Sequence, residues 1–308
     1  MNSSEKNALN NKKSHRFSVI LITMNRKEIL RKCLESIHLQ KYDDYEIIVV
    51  DNASHDGTGD MVQRLFPDVR YFHSRNNLGV PGGRNYGLRM ATGEICVFID
   101  DDAIFADDKA LGKIDAYFET DDRLGCLAFR IVQPNSCIDE YKGIPRADKK
   151  IIHADYECSY FCGAGFACHR NLFAEAGEFC DELFFTGEEL DFSYRLLDKG
   201  YKILRSSAIT VIHYEMPQGR VSGKWIYYGV RSRCWVAARN LPLINVISYT
   251  FLWWGYYFIL SLRNGHLIYF MQGFKDAVAG FPRAMRSRRC ISRETMNKLK
   301  ELSGRVYY

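Results

Sequence analysis

Three consecutive aspartates, Asp100-Asp101-Asp102, directly follow the apolar run Ile95–Ile99. Like charges this close together destabilise one another unless a cation neutralises them. Alternate residues of an extended segment point to the same side, so Asp100 and Asp102 can share one metal ion. Carboxylate oxygens are hard ligands and favour Mg²⁺ or Mn²⁺. The triplet therefore predicts a divalent cation site, and a solvated acidic loop is the alternative interpretation.

Polar residues also follow other apolar runs that have the length of a strand. Asn25 comes soon after Phe17–Thr23, and Asp51 directly follows Glu46–Val50. A carboxylate in such a position can accept hydrogen bonds from ribose hydroxyls or from a base N–H, which suits a nucleoside. Asp51 alone is equally well explained as a helix N-cap or a turn residue. The first strand and helix lack the glycine fingerprint of dinucleotide binding, and the sequence contains no Walker loop.

A second acidic group, Glu188-Glu189-Leu190-Asp191, begins a segment with helical periodicity at Glu188–Lys199. A carboxylate can act as the general base that removes a proton from a hydroxyl. Acids in a first helical turn also complement the helix dipole. Asp191 lies four residues before Arg195, so these two side chains can form an ion pair. The pattern leaves both a catalytic and a structural interpretation open.

The alternation of strand-length and helical segments predicts the architecture that positions these residues. The segments are Phe17–Thr23, Arg26–Leu39, Glu46–Val50, Gly57–Phe66, Val69–Phe72, Gly82–Met90 and Ile95–Ile99. This order favours an α/β fold with a mostly parallel sheet flanked by helices. In open sheets of this kind, ligands bind beyond the carboxyl ends of the strands, which is where the polar residues follow.

Changes in composition divide the chain near residues 15, 125 and 220. Residues 1–15 are polar and are predicted to be a disordered leader. Residues 16–125 contain the regular alternation, and residues 126–220 contain shorter apolar pieces that end in the strand Ala208–His213. Residues 221–308 are aromatic and basic and are predicted to be helical. Because the start lacks an apolar signal core, we expect a cytoplasmic chain whose ten cysteines are reduced.

The overall composition is that of a globular protein, with 47% hydrophobic and 26% charged residues. The net charge of +5 is too small to require a nucleic-acid partner. The basic residues are concentrated beside an apolar segment near the C-terminus rather than within an RNA-binding motif, so we expect no nucleic acid among the partners.

Five stretches within residues 17–213 resemble the family 2 glycosyltransferases of the GT-A fold, in the order and spacing of that family. In pattern they are similar to bacterial rhamnosyl-, galactofuranosyl- and related polysaccharide transferases. The stretches are VILITMNR, EIIVVDNASHDGT, NNLGVPGGRNYGLRMATGE, FIDDD and FCGAGFACHRNLFAEAGEFCDELFFTGEELDFSYRLLDKGY. The resemblance makes residues 16–125 the nucleotide-sugar-binding half and residues 126–220 the acceptor-binding and catalytic half of one domain.

The resemblance implies a nucleotide-diphosphate sugar as the donor, either a UDP-sugar or a dTDP-sugar. Around the base and ribose it places Thr23, Asn25 and Asp51, and near the nucleotide it places Arg84. Asp100-Asp101-Asp102 matches the D-x-D motif, whose acids hold Mg²⁺ or Mn²⁺ on the diphosphate. His213 matches a histidine that completes this metal site in several relatives.

On the acceptor side, the resemblance matches Glu188-Glu189 to an E-D pair whose second acid is the base. It therefore implies Glu189 as the base, one methylene longer than the commoner aspartate, with Asp191 as the second choice. The remaining expected substrate contacts are Asp100, Asp101, Gly163 and Glu188. The implied reaction is an inverting, metal-dependent transfer to a hydroxyl of a lipid-linked or surface glycan. The alternatives are a transfer to a polyprenyl phosphate, which requires no base, and a non-catalytic nucleotide-sugar or lipid-binding module.

Leu241–Leu262 contains no Asp, Glu, Lys or Arg and is long enough to span a bilayer. Basic residues flank it on both sides, so the positive-inside asymmetry is missing. Aromatic residues lie in its middle, although Trp and Tyr prefer the membrane interface. We therefore predict an interfacial or re-entrant helical hairpin on an anionic membrane surface, peripheral or monotopic at the cytoplasmic face. A buried helix packed on the catalytic domain is the alternative.

Overall fold

The computed structural model describes residues 14–136, 138–215 and 222–304. Most of the predicted leader and the predicted boundary near residue 220 therefore lie outside the described residues.

One mixed sheet forms the centre of the described chain. In chain order its strands are β1 (Phe17–Thr23), β2 (Tyr45–Asn52), β3 (Arg70–Ser74), β4 (Ile95–Ile99), β5 (Ala103–Phe105), β6 (Leu124–Val132), β7 (Tyr156–Glu157), β8 (Gly165–His169) and β9 (Lys202–His213). Their order across the sheet is β3-β2-β1-β4-β8-β6-β9-β5, and β7 pairs with β9 outside this path.

Helices cover the sheet and form the C-terminal region. They are α1 (Lys27–His38), α2 (Thr58–Leu65), α3 (Gly79–Met90), α4 (Ala110–Thr120), α5 (Leu172–Ala176), α6 (Glu188–Asp198), α7 (Lys224–Asn240), α8 (Leu243–Arg263), α9 (Leu267–Arg286) and α10 (Arg293–Glu301). Short 3₁₀ turns occur at Tyr141–Gly143 and Asp181–Leu183. The predicted α/β class with flanking helices and a helical C-terminal extension is confirmed.

The predicted parallel pairing holds for the first four strands, where β1 pairs in parallel with β2 and β4, and β2 with β3. Beyond β4 the sheet is mixed, because β8 runs antiparallel to both β4 and β6. Alternate side chains of β1 enter different cores: Ile20 packs on one face of the sheet, and Val19 and Leu21 pack on the other. A strand buried on both faces explains why its sequence is continuously apolar.

Helix α3 begins at Gly79, one turn before the predicted start at Gly82. Two of the glycines inside this helix lie where there is no space for a side chain between α3 and β1. A Cβ on Gly83 would lie 2.8 Å from Cγ2 of Ile22, and one on Gly87 would lie 2.5 Å from Cγ2 of Ile20. The close packing holds Arg84 beneath the carboxyl ends of the central strands.

Helices α8 and α9 form a hairpin that packs on α7. Arg233 of α7 donates a hydrogen bond to the hydroxyl of Tyr249 (2.9 Å), and its guanidinium lies 4.2 Å from the ring centroid of Trp253. Within the described residues, α8 is the one helix that by length and composition could cross a membrane, and 28% of its most apolar window is buried. The outer face of α8 is apolar and solvent-exposed, as shown by Ile244 (74% exposed) and Phe251 (66%). This exposure argues against the alternative of a buried core helix.

Candidate active site

The carboxyl ends of β1, β2 and β4 meet at one edge of the sheet and bring the predicted polar residues together. The register pairs Thr23 with Asp51 directly. Asp100 follows β4 at the same edge, and its backbone N–H donates to the carbonyl of Ala164 (3.2 Å). Open α/β sheets bind their ligands beyond this edge, where the carboxyl ends of the strands lie.

Asp100, Asp102 and His213 form a cluster in which one potential ligand atom from each residue lies within 4.8 Å of the others. Asp100 and Asp102 thus lie together as predicted, but the prediction that they belong to an extended segment is wrong. The triplet is a tight turn and not an extended segment, because the N–H of Ala103 donates to the carbonyl of Asp100 (3.0 Å). His213 reaches the cluster because β5 and β9 pair antiparallel with Ala103 opposite His213.

The chemistry of the cluster fits a divalent cation. The Nδ1 atom of His213 lies 2.7 Å from Oε2 of Glu140, an arrangement in which a ring N–H donates to an outer carboxylate. The Nε2 atom is buried, makes no hydrogen bond in the described part of the chain, and lies 3.3 Å from Oδ1 of Asp102. A histidine oriented in this way presents a nitrogen lone pair to the same point as the two carboxylates.

The carboxylates around His213 give the cluster an excess of negative charge. Burial opposes the charged form of His213, but Asp102 and Glu140 outweigh it and raise the pKa of His213 to about 10. Burial also raises the pKa of Asp100, with Asp102 adding to the effect and Arg84 opposing it. Since only a neutral imidazole binds a metal, a cation that enters this site must displace a proton from His213.

Asp101 turns away from the cluster and pairs with Arg26. The Nη1 atom of Arg26 lies 2.8 Å from Oδ1 of Asp101 and 3.0 Å from Oδ2 of Asp102. Burial and the charge of Asp102 raise the pKa of Asp101 to about 6, although Arg26 opposes the shift. Arg26 thus supplies positive charge to two of the three aspartates.

The other predicted nucleotide residues organise the loops after β1 and β2. The amide oxygen of Asn25 accepts from the N–H of His55 (2.7 Å), and the N–H of Asn25 donates to the hydroxyl of Ser54 (2.8 Å). Asp51 is buried, accepts from the N–H of Ser54 (2.8 Å), and also accepts from the hydroxyl of Tyr71. Thr23 is buried at the end of β1.

Arg84 joins the aspartate cluster to the acids of α6. Its guanidinium donates to Glu188 Oε1 (3.1 Å) and to the carbonyl of Gly163 (2.9 Å), and it lies 3.4 Å from Asp100 Oδ1. Glu189 Oε1 is 3.8 Å from the same guanidinium. Arg84 is only 3% exposed, so these contacts form in a nearly dry environment where electrostatic interactions are strong.

The two glutamates at the start of α6 have different surroundings. The Glu188 side chain is 1% exposed and that of Glu189 is 24% exposed. Burial and the neighbouring Glu189 raise the pKa of Glu188 to about 8, despite the opposing charge of Arg84. Glu189 is therefore the accessible acid of the pair. Gly163 faces it so closely that a Cβ there would lie 2.3 Å from Glu189 Oε1.

Asp191 lies apart from this group and is fully buried between α6 and α7. One of its carboxylate oxygens accepts from Arg239 (2.8 Å) and Asn240 (2.8 Å). The other accepts from Arg195 (2.9 Å), as the spacing of four residues predicts. Its carboxylate is thus occupied by bonds that attach α6 to α7.

Two residues of the site were not predicted as site residues. Arg26 follows the first strand and is visible in the sequence, but nothing there indicates a contact with Asp101. Glu140 lies in an irregular segment after β6 with no local pattern that indicates a partner. Only the pairing of β6 with β9 brings its carboxylate to His213.

Replacing Glu140 by glutamine is expected to weaken Mn²⁺ binding by roughly 10-fold or more, because outer carboxylate partners orient metal-binding histidines. The measurement is titration of Mn²⁺ into the protein without donor, followed by calorimetry. An unchanged Tm of the metal-free variant controls for the fold. An affinity within about twofold of the original protein would contradict this role.

Comparison with known proteins places these features in a family. Residues 18–177 match the family model described as Glycosyl transferase family 2. A GalNAc(5)-diNAcBac-PP-undecaprenol beta-1,3-glucosyltransferase from Campylobacter jejuni is 29% identical over 64% of this chain and 67% of its own length. An uncharacterized glycosyltransferase from Bacillus subtilis is 36% identical over 36% of this chain and 29% of its own length. The chain thus spans at most about two thirds of these two relatives.

Solved structures share the fold at low sequence identity. GalNAc-T7 with UDP, GalNAc and Mn²⁺ has a TM-score of 0.61 at 18% identity, over 78% of this chain and 50% of its own. A Pyrobaculum calidifontis mannosyltransferase in complex with GDP-Man and Mn²⁺ has a TM-score of 0.55 at 19% identity, over 97% and 85%. S. aureus TarS 1–349 in complex with UDP-GlcNAc has a TM-score of 0.57 at 18% identity, over 92% and 85%. The sheet, the clustered strand-end residues and the family match agree: the chain belongs to the family 2 glycosyltransferases and is a glycosyltransferase with a GT-A-type fold.

Proposed function

We propose that the protein transfers a sugar, with inversion, from a UDP-sugar or dTDP-sugar to a hydroxyl of a lipid-linked or surface glycan. The observation that carries this proposal is the position of Arg84, which contacts the aspartate cluster on one side and the two glutamates of α6 on the other. This position would hold a cation site for a diphosphate beside an accessible acid for an acceptor.

The donor half of the proposal rests on the strand-end residues. Asp100, Asp102 and His213 would hold Mg²⁺ or Mn²⁺, which when bound offsets the charge that develops on the departing nucleotide diphosphate. Asp51, Thr23 and Asn25 would contact the base and ribose. Structural neighbours that bind UDP, UDP-GlcNAc or GDP-Man with or without Mn²⁺ support a nucleotide-sugar donor.

The acceptor half rests on Glu189. As the accessible carboxylate of α6, it would remove the proton from the acceptor hydroxyl while that oxygen attacks the anomeric carbon from the face opposite the leaving group. The bond between sugar and diphosphate breaks as the new glycosidic bond forms. Gly163 leaves space beside Glu189 because any side chain there would overlap with the carboxylate. The Campylobacter jejuni relative, whose name specifies an undecaprenyl-diphosphate-linked glycan, supports a lipid-linked acceptor.

A release assay tests the function. Purified protein is incubated with Mn²⁺ or Mg²⁺, a bacterial lipid extract and a panel of nucleotide sugars, and free nucleotide diphosphate is measured. We expect metal-dependent release with one donor that increases when the extract is present. Tight donor binding without release from any donor, with or without the extract, would favour the non-catalytic module instead.

We further propose that the hairpin of α8 and α9 lies in the membrane interface at the cytoplasmic face. One continuous apolar stripe of α8 is exposed along its whole length, at Ile244, Ile247, Phe251, Ile259 and Leu262. The opposite stripe is fixed to α7, and the partly buried Arg233 contacts both Tyr249 and Trp253 there. A helix attached along its length in this way is suited to lying in the interface rather than crossing the bilayer.

Replacing Ile244 by glutamate is expected to weaken binding to phosphatidylcholine vesicles by roughly tenfold or more, because the side chain would lose its transfer into the lipid. Ile244 is 74% exposed, so the fold should tolerate the change. Leu39→Glu is the matched control, since Leu39 is 69% exposed and follows α1 on another part of the surface. Equal vesicle binding by both variants, measured by co-sedimentation, would argue against the interfacial position.

A further inference from the structure

A cavity of about 330 Å³ lies where α6, the end of α7 and the segment after α9 meet. Five arginines line it, together with one acid and small residues. The charged residues are Arg195, Arg239, Arg286, Arg288, Arg289 and Glu178. None of them belongs to the aspartate cluster or contacts Arg84, so this cavity is separate from the candidate active site.

Three of the arginines are held in place by the protein. Arg195 and Arg239 share the buried carboxylate of Asp191, with N–O distances of 2.9 and 2.8 Å. Arg288 donates to the backbone carbonyls of Ala238 and Leu241 at the end of α7. These contacts fix the wall of the cavity. Because backbone carbonyl groups are neutral, the hydrogen bonds of Arg288 do not neutralise its positive charge.

Positive charge exceeds negative charge around the cavity. Arg286 and Arg289 are exposed, and neither forms an ion pair within residues 14–136, 138–215 and 222–304. The one acid on the wall, Glu178, is 2.7 Å from Arg89 and is thus already paired. Arg286 and Arg289 thus leave two guanidinium groups beside the cavity without an acidic partner among the described residues, and the planar N–H groups of a guanidinium match the oxygens of a phosphate in pairs.

The cavity lies directly beside the apolar end of α8. Arg288 bonds the carbonyl of Leu241, two residues before α8 begins at Leu243. Leu243 and Ile244 are 59% and 74% exposed. A ligand that fits both surfaces has a phosphate next to an apolar part, which is the chemistry of a phospholipid at the boundary between headgroups and acyl chains.

We propose that this arginine cavity binds the headgroup phosphate of an anionic phospholipid and so fixes the position of the protein on the membrane. This inference rests on the proposed interfacial position of α8 and α9 and adds a defined lipid site to it. The apolar stripe of α8 provides attachment to any bilayer, whereas the cavity provides the preference for anionic lipid. The choline cation beside the phosphate of phosphatidylcholine would be repelled by the arginines, whereas an anionic phospholipid presents its phosphate without a neighbouring cation. A lipid bound there positions the catalytic domain through α6 and α7, which share Asp191 beneath the cavity.

The test compares two double variants that each remove two positive charges from the same hairpin region. Arg286→Gln with Arg289→Gln changes the cavity, and Arg263→Gln with Lys275→Gln changes exposed residues elsewhere on α8 and α9. Full-length proteins are co-sedimented with phosphatidylcholine vesicles and with vesicles that also contain phosphatidylglycerol. For each protein we compare the affinity for vesicles with phosphatidylglycerol with the affinity for vesicles without it. This ratio should be about tenfold smaller in the cavity variant than in the other double variant, because charge-assisted hydrogen bonds to the phosphate are lost in the cavity. Binding to phosphatidylcholine alone should stay the same.

Three results would overturn the inference, and they have different meanings. Equal loss in the two double variants would show only diffuse electrostatic attraction, with membrane binding itself intact. Failure of the unmodified protein to bind either vesicle would remove the interfacial position as well. If the cavity variant keeps its full preference for phosphatidylglycerol but loses the binding of inorganic pyrophosphate that the unmodified protein shows without metal, the cavity is a site for a free anion and not for lipid.

Discussion

Replacing Asp102 by asparagine is expected to abolish metal-dependent turnover of the donor while leaving the fold intact. Asp102 is 1% exposed and lies between His213 and Arg26, at 3.3 and 3.0 Å. Asparagine keeps the shape but removes the negative charge that would hold a cation on the diphosphate. Loss of several kcal/mol of charge stabilisation corresponds to a fall of roughly a thousandfold in turnover. The measurement is release of nucleotide diphosphate at saturating Mn²⁺, together with the Kd for Mn²⁺.

Asp101→Asn is the matched control, because Asp101 pairs with Arg26 and lies outside the ligand cluster. Its Kd for Mn²⁺ should change far less than that of Asp102→Asn, whatever happens to donor turnover. Full activity of Asp102→Asn with an unchanged metal requirement would remove this residue from the site. Equal loss of Mn²⁺ affinity in both variants would mean that the total charge of the loop, and not the geometry of the cluster, holds the ion.

The sequence predicts the strand ends of this site well because local patterns determine them. An apolar run followed by polar residues identifies the carboxyl end of a buried strand, and parallel pairing then brings these ends to one edge. Asp51 and Asp100 were found in this way. The matched family motifs added Arg84 and His213, whose roles local chemistry alone does not show.

Contacts between distant segments could not be predicted in the same way. The bond of His213 to Glu140 joins residues 73 positions apart and depends on the register of β6 against β9. The predicted start of α3 at Gly82 leaves out its first turn, which begins at Gly79, a residue type with low helix propensity. In the structure Gly79 packs against a distant segment, and a Cβ there would lie 2.3 Å from the carbonyl oxygen of Phe184. Tertiary packing therefore overrides the local preference at the point where Arg84 enters the site.

Replacing Glu189 by glutamine is expected to cause the second large loss of catalytic activity. Glu189→Gln keeps the shape and most of the hydrogen bonding of the side chain but cannot accept a proton from the acceptor. General-base catalysis contributes about 10²–10⁴-fold, so kcat should fall by roughly that factor. The KM for the donor should change little, because the donor is expected to contact the strand ends. Glu188 is a poor substitute for the missing base because its side chain is only 1% exposed and its Oε1 atom already accepts a hydrogen bond from Arg84.

Asp191→Asn separates a catalytic from a structural acid on the same helix. Asp191 is paired with Arg195 and Arg239 in the interior, and breaking a buried pair costs about 3–5 kcal/mol of stability. We expect a lower Tm and near-normal kcat for the molecules that remain folded. The opposite pattern, in which Asp191→Asn removes turnover and Glu189→Gln does not, would assign the base to Asp191.

A fully active Glu189→Gln variant, with Asp191→Asn also active, would change the proposed acceptor rather than the family. A phosphate oxygen is already ionised and attacks without a base, so this outcome would point to a polyprenyl phosphate as the acceptor. Adding polyprenyl phosphate to the release assay then decides between the two acceptors, since only that lipid would increase nucleotide release. If the hydroxyl acceptor is correct, turnover should depend both on Glu189 and on a glycan-bearing lipid.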